Sequence, residues 1–111
     1  DEATAMLDPN SRQEILSVIR KLQSMGHTVI MTTHYVEEAV YSDRIILLKN
    51  GTVLAEGTPY DILTDINLLN RAGIRPPMAV SVYYELEKRG IKLQRCPLTN
   101  KELAGELCAL N

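Results

Sequence analysis

The chain begins with an adjacent pair of acids, Asp1 and Glu2, and a third acid, Asp8, follows five small or apolar residues later. Neighbouring side chains on an extended segment point to opposite sides of the backbone, so the two acids of the pair are expected to serve different roles. One carboxylate could face a metal-bound phosphate and the other an attacking water. Without its surroundings, however, such a pair is more often solvated surface than a catalytic site. Its function therefore depends on the elements that position it.

A helix is predicted directly after the third acid. Asp8 stands at the N-cap position and Pro9 at the first helical position, which favours a helix start. Over residues 9–25 the apolar side chains recur at helical spacing, at Ile15, Leu16, Ile19 and Leu22. Gly26 supplies the stop. The acidic segment therefore leads into an amphipathic helix.

The apolar, β-branched residues 28–33 predict a buried strand after this helix. A helix joined to a buried strand by a tight turn is typical of an α/β fold with parallel pairing. In such sheets ligands bind beyond the carboxyl ends of the strands, where Glu2 and His34 are both expected. A histidine at a strand end is more often structural, but this position favours a functional role for His34. His27 has no such context and is interpreted as a surface residue.

Charged residues flank these elements. Arg12 lies off the apolar stripe of the first helix. Residues 36–41 are predicted to form a short helix, with Glu37 and Glu38 in the first turn, where the helix dipole favours acids.

A β-hairpin is predicted next, with strands over residues 44–49 and 52–56 joined by the two-residue turn Asn50-Gly51. A helix that starts at Thr58 and Pro59 closes this part of the chain. We therefore expect two regions, an α/β region over residues 1–64 and a helical extension over residues 65–111.

The extension is predicted to contain three short helices, separated by Gly73, the stiff pair Pro76-Pro77 and Gly90. The last helix begins with a capping box at Thr99 to Glu102. Each helix has an apolar face. Two interpretations remain open: these faces pack onto the α/β region, or part of the extension contacts a second subunit.

The composition excludes several classes of protein. Of the 111 residues, 45% are hydrophobic and 23% are charged, which is ordinary for a globular domain, and no apolar run reaches the ~18 residues of a membrane span. The formal net charge of −2 gives no support for a nucleic-acid partner. Cys96 and Cys108 lack the spacing of a zinc site and are expected to be reduced thiols.

The stretch Asp1-Glu2-Ala3-Thr4-Ala5-Met6-Leu7-Asp8-Pro9 closely resembles the end of the Walker B motif and the D-loop of ATP-binding cassette (ABC) ATPases. The exact residues of this stretch, Ala3-Thr4-Ala5-Met6-Leu7-Asp8-Pro9, are most similar to those in the ATP-binding subunits of energy-coupling factor (ECF) importers of the cobalt and vitamin uptake type. The stretch Thr-Thr-His-Tyr-Val-Glu-Glu-Ala around His34 also resembles the family's switch segment. The resemblance implies the C-terminal part of a P-loop NTPase: a parallel sheet with flanking helices, a β-hairpin and a small helical C-terminal extension.

The resemblance assigns a role to each candidate site residue. It implies that Asp1 helps to hold Mg²⁺ beside ATP and that Glu2 is the general base for the attacking water. His34 is expected to contact the γ-phosphate. The D-loop, which in the family crosses the interface between two ATPase subunits, matches Ala5, Met6, Leu7 and Asp8.

The sequence lacks both the glycine-rich phosphate loop, G-x-x-x-x-G-K-[ST], and the signature motif of the family. We therefore expect a C-terminal portion of a longer subunit, inactive alone. The implied partners are a second ATP-binding subunit, a transmembrane coupling subunit and a substrate-binding membrane subunit. The implied location is peripheral, on the cytoplasmic face of the membrane.

Two alternatives remain open at this point. The chain could come from the ATPase of another ABC importer or from a soluble ABC protein, whose extensions are β-rich or absent in the family. It could also be a non-enzymatic interaction module that binds a partner through its C-terminal helices.

Overall fold

The structure, a computed structural model, describes residues 8–110, and within this range six helices and two strands follow one another. The helices are α1 (Pro9–Ser24), α2 (Val36–Ala39), α3 (Pro59–Leu63), α4 (Ile66–Ala72), α5 (Met78–Lys88) and α6 (Asn100–Cys108). The strands are β1 (Ile45–Lys49) and β2 (Thr52–Gly57). The candidate residues Asp1, Glu2, Ala5, Met6 and Leu7 lie outside the described residues.

Helix α1 has the predicted start and end. The carboxylate of Asp8 accepts a hydrogen bond of 2.7 Å from the backbone N–H of Ser11, and Pro9 occupies the first turn. Gly26 follows the helix with φ +94°, a conformation that glycine adopts readily. None of the residues of α1 is buried. None of the helices within residues 8–110 is long and apolar enough to cross a bilayer.

The prediction of a buried strand over residues 28–33 is wrong for the structure described here. This segment has no regular secondary structure, and Ile30 is 89% exposed. A strand requires a neighbouring strand to pair with its backbone, and among residues 8–110 the only sheet is the antiparallel pair β1 and β2. The predicted parallel sheet is therefore not found in the described part of the chain, whereas the mixture of helices and strands is.

The β-hairpin forms as predicted. Strands β1 and β2 pair antiparallel, and the turn residues Asn50 and Gly51 have φ values of +52° and +76°. Two positive φ values in succession are the requirement of a type I′ turn, which Asn-Gly satisfies at low cost. The register shifts between Leu47 and Leu48, where the ladder contains an irregularity. Leu47 points into the core, while Leu48 is exposed.

The main hydrophobic core joins the hairpin to the two helices that follow it. It contains the buried side chains of Leu47, Ile62, Leu63 and Leu69, from β1, α3 and α4. Thr58 caps α3 and Asp65 caps α4, each through a side-chain oxygen that accepts a backbone N–H. Because Leu69 is fully buried in this cluster, the first helix after residue 64 packs onto the hairpin.

Helices α5 and α6 build a second, smaller core around the buried residues Ala79, Leu93 and Leu103. The hydroxyl of Tyr84 on α5 donates a 2.7 Å hydrogen bond to the backbone carbonyl of Thr64, at the end of α3. Thr99 caps α6, as the capping-box pattern predicts. The C-terminal helices therefore pack both on one another and against the end of α3.

We predict that the chain studied alone is marginally stable or insoluble. Val18, Met25 and Ile30 are 55%, 66% and 89% exposed, so apolar surface on and after α1 has no cover among the described residues. Denaturant unfolding followed by circular dichroism measures this, with Ile30→Gln as the matched variant expected to increase solubility. A soluble monomer that unfolds in one cooperative transition of about 5 kcal/mol or more would contradict the prediction.

We also predict that the two cysteines differ in reactivity. Both thiols are free, Cys96 buried and Cys108 exposed. Burial, together with the nearby carboxylates of Glu87 and Glu102, raises the pKa of Cys96 to about 11, so its thiol is protonated and shielded at neutral pH. Alkylation by iodoacetamide at pH 8, mapped by mass spectrometry, should label Cys108 much faster. Equal labelling rates in the folded protein would overturn this prediction.

Candidate functional site

His34, the candidate site residue that lies well inside the described range, stands two residues before α2, next to its N-cap Tyr35. Its side chain is exposed, and its ring lies 4.3 Å from the ring of Tyr35, centroid to centroid, at a tilt of 32°. The backbone N–H of Tyr35 donates a 3.0 Å hydrogen bond to the hydroxyl of Thr33. This short turn presents the imidazole to solvent at the start of a helix, where it can reach a ligand.

Arg12 fixes this turn to α1. Its guanidinium lies 4.3 Å from the centre of the Tyr35 ring, a cation–π contact. Its Nε atom also lies 3.5 Å from Oε1 of Glu38, whose side chain is only 1% exposed. A buried carboxylate is costly unless it has a charged or hydrogen-bonding partner. The pairing therefore holds the first turn of α2, and the His34 turn before it, against α1.

This pairing was not predicted from the sequence. The sequence placed Arg12 off the apolar stripe of α1 and Glu38 in the first turn of α2, because periodicity identifies apolar faces and gives no partner for a charge. One signal was available: Tyr35, the N-cap of α2, and Glu38 are three residues apart, so their side chains lie on one side of the start of this helix. A single cation placed on that side can contact both residues, as Arg12 does.

Two further contacts join α1 to the segment after α2. The guanidinium of Arg20 lies 5.0 Å from the centre of the Tyr41 ring. The side-chain amide of Gln23 donates a hydrogen bond to the carboxylate of Asp43. Three side chains of α1, those of Arg12, Arg20 and Gln23, therefore contact the segment 35–43.

Asp8 is the other candidate residue in the described range. Its exposed carboxylate is the N-cap of α1, and the hydrogen bond from the Ser11 N–H lowers the pKa of Asp8. The carboxylate is therefore ionised at neutral pH. The Asp8 carbonyl also accepts a 2.9 Å hydrogen bond from the backbone N–H of Arg12. Asp8 thus begins the helical turn whose Arg12 side chain holds the His34 segment.

His34 lines a surface cavity of about 380 Å³ that is broadly open to solvent. One wall is the turn from His34 to Glu37, and the other is the connection between α4 and α5, with Arg75 and Met78. A larger cavity of about 580 Å³ lies among α3, α4 and α5, and its lining includes none of the candidate site residues. Since the chemistry-bearing imidazole borders the smaller cavity, that cavity is the candidate ligand site.

The described residues provide no metal centre. Within residues 8–110, no group of three or more histidine, cysteine, aspartate or glutamate side chains lies close enough to hold a metal ion. Asp1, the residue expected to help hold Mg²⁺, and Glu2, the expected general base, lie outside this range. Their assignments remain predictions.

Comparison with known proteins identifies relatives over the whole chain. An energy-coupling factor transporter ATP-binding protein, EcfA1, from Clostridium novyi is 40% identical over 99% of this chain. The proteins of the same name from Geobacillus kaustophilus and Caldanaerobacter subterraneus are 42% and 38% identical, over 99% and 97% of the chain. No protein-family model matches the chain.

These relatives confirm the resemblance to ATP-binding subunits of ECF transporters that was inferred from the motifs. The chain spans 40% of the length of the relative from Clostridium novyi and 39% of that from Caldanaerobacter subterraneus. That share agrees with the expected portion of a longer subunit.

We predict that the Arg12–Glu38 pair stabilises the junction of α1 and α2. Arg12→Met in the full-length protein leaves the buried carboxylate without its cation. We expect a loss of roughly 1–3 kcal/mol, below the value for a fully buried pair because the Arg12 side chain is 26% exposed. Denaturant unfolding measures the change.

Two variants make this test specific. The double variant Arg12→Met/Glu38→Leu should recover much of the loss, since an apolar pair of similar volume removes both charges together. Arg20→Met, which removes only the exposed contact with Tyr41, should change stability by less than about 0.5 kcal/mol. An Arg12→Met effect no larger than that of Arg20→Met would show that the pair contributes little.

Proposed function

We propose that this chain is part of the ATP-binding and ATP-hydrolysing subunit that powers an ECF importer for a vitamin or a transition-metal ion. The observation that carries the proposal is the 40% identity along 99% of the chain to a protein named as the ATP-binding protein of such a transporter. The structure supports it with an exposed His34 on a turn held by α1, beside a cavity.

Hydrolysis of ATP requires a placed water and stabilisation of the charge on the transferred phosphoryl group. Glu2 is the proposed general base, which accepts a proton from the attacking water. His34 donates a hydrogen bond to an oxygen of the γ-phosphate. Bound Mg²⁺ would neutralise charge on the phosphates, and Asp1 is the residue proposed to help hold it.

The exposed position of His34 suits this role. An imidazole on a short turn can approach a phosphate without desolvating a buried group. The turn is nevertheless packed against α1, because the Arg12 side chain contacts both Tyr35 and Glu38. Holding a contact group on a supported turn lowers the entropy lost when the ligand binds.

The proposed assembly contains a second ATP-binding subunit, a transmembrane coupling subunit and a substrate-binding membrane subunit, with this subunit peripheral on the cytoplasmic face. Residues 5–8 form the proposed contact with the second ATP-binding subunit. Asp8 supports a role at a boundary, since its carboxylate is exposed and ionised at the start of α1. The helical extension over residues 65–111 remains the second proposed pairing region.

A non-enzymatic interaction module is the competing proposal, and one observation favours it. Helices α5 and α6 have a core of their own, around Ala79, Leu93 and Leu103. A module of this kind would bind a partner without nucleotide. It would also be indifferent to substitutions at Glu2 and His34.

We predict distinct effects of two substitutions in the full-length subunit, assembled with its partners. Glu2→Gln should retain ATP binding and lower turnover by roughly 10²–10⁴, as expected for the loss of a general base. His34→Ala should also lower turnover with nucleotide still bound. Phosphate release and displacement of a fluorescent nucleotide measure the two properties separately.

His27→Ala is the matched control, because His27 is also an exposed histidine but does not line the cavity. The assembled His27→Ala subunit should hydrolyse ATP at the unmodified rate. In a separate measurement, the 111-residue chain alone should release no phosphate from ATP. An assembled Glu2→Gln or His34→Ala subunit with unchanged turnover would remove the role proposed for that residue.

A further inference from the structure

The connection between α4 and α5 is conformationally restricted. Gly73 ends α4 with φ +72°, and Pro77 precedes α5 with φ −54°. Arg75 stands directly before Pro76, and a residue before proline is confined to extended conformations. Pro76 therefore restricts the backbone of Arg75 to extended conformations, which limits where its side chain can start.

Arg75 lines the same cavity as His34. Its side chain is exposed, and the ion pairs within residues 8–110 are Arg12–Glu38, Arg44–Glu56 and Arg89–Glu85, none of which includes Arg75. By contrast, the guanidinium of Arg12 is occupied by Glu38 and Tyr35. The cavity thus has a guanidinium with no carboxylate partner in the described part of the chain.

The chemistry of this cavity suits a phosphoryl group. A guanidinium presents several N–H donors in one plane and matches the oxygens of a phosphate in pairs. His34 can donate a further hydrogen bond. Glu37 also lines the cavity, and its negative charge opposes anion binding. Arg75 therefore neutralises the charge of Glu37, and its N–H donors are what the cavity offers to phosphate oxygens.

We propose that Arg75 is a second phosphate contact of the His34 cavity. The ligand is a phosphoryl group, either the γ-phosphate of bound nucleotide or inorganic phosphate after its release. This inference rests on the proposed function of the subunit and adds a residue to it. Through Arg75, the phosphate would contact the connection between α4 and α5 as well as the turn before α2.

The test uses the full-length subunit assembled with its partners. The variants are Arg75→Gln, which removes the charge, and Arg75→Lys, which retains it. Arg71→Gln is the matched control, since Arg71 is an exposed arginine on α4 that does not line the cavity. Two readouts are measured: inhibition of hydrolysis by inorganic phosphate, and displacement of a fluorescent nucleotide by ATP or ADP in the Glu2→Gln background.

We expect Arg75→Gln to weaken phosphate binding by roughly two- to fivefold, the size expected for an exposed ionic contact. Arg75→Lys should show a smaller loss, and Glu37→Gln should strengthen inhibition by inorganic phosphate. A larger loss for ATP than for ADP supports the γ-phosphate as the ligand. If Arg75→Gln weakens only the inhibition by inorganic phosphate, the ligand of Arg75 is the released phosphate.

The inference is overturned if Arg75→Gln and Arg71→Gln give the same phosphate inhibition and the same affinities for ATP and ADP in an active subunit. An assembled, unmodified subunit that neither binds nor hydrolyses ATP would overturn the proposed function, and this inference with it. Melting temperatures of the variants should remain within about 2 °C of the unmodified subunit, as expected for substitutions of exposed side chains.

Discussion

The position of the candidate site depends on one buried carboxylate and the cation beside it. Glu38 is nearly inaccessible to solvent and Arg12 is its ionic partner, while the same guanidinium covers the ring of Tyr35. A buried charge restricts the arrangements of its surroundings, because most alternatives leave it without a partner. The turn that presents His34 therefore has few positions available relative to α1.

Local signals predicted most of the elements. Asp8, Thr58 and Thr99 cap helices as their side chains predict, and Asn50-Gly51 makes the tight turn of the hairpin. Each of these features is determined by a few neighbouring residues, so a short stretch of sequence is enough to predict it. The strand predicted over residues 28–33 depends instead on a pairing partner, which β-branched composition cannot supply, and the segment is irregular.

The site was predictable in part for the same reason. His34 was proposed as a site residue because its sequence context resembles a switch segment. The structure places its exposed side chain beside a cavity, and its role stays a prediction. Arg75 carried no signal: it lies 41 positions further along the chain, in a connection between helices. Only the folded path brings the two residues to one cavity. The sequence did not predict Arg12 as the partner of Glu38 for a similar reason. An ion pair between two helices leaves no periodic pattern in the sequence.

The hydrogen bond from Tyr84 to the carbonyl of Thr64 makes the extension part of the structure that precedes it. The last carbonyls of a helix have no partner within that helix, so the end of α3 relies on a hydroxyl contributed from α5. The bond crosses the predicted division between residues 64 and 65. A chain shortened before α5 would lose this partner at the helix end that adjoins the buried Ile62 and Leu63. This one hydrogen bond thus ties α5 to the end of the helix that contributes Ile62 and Leu63 to the hairpin core.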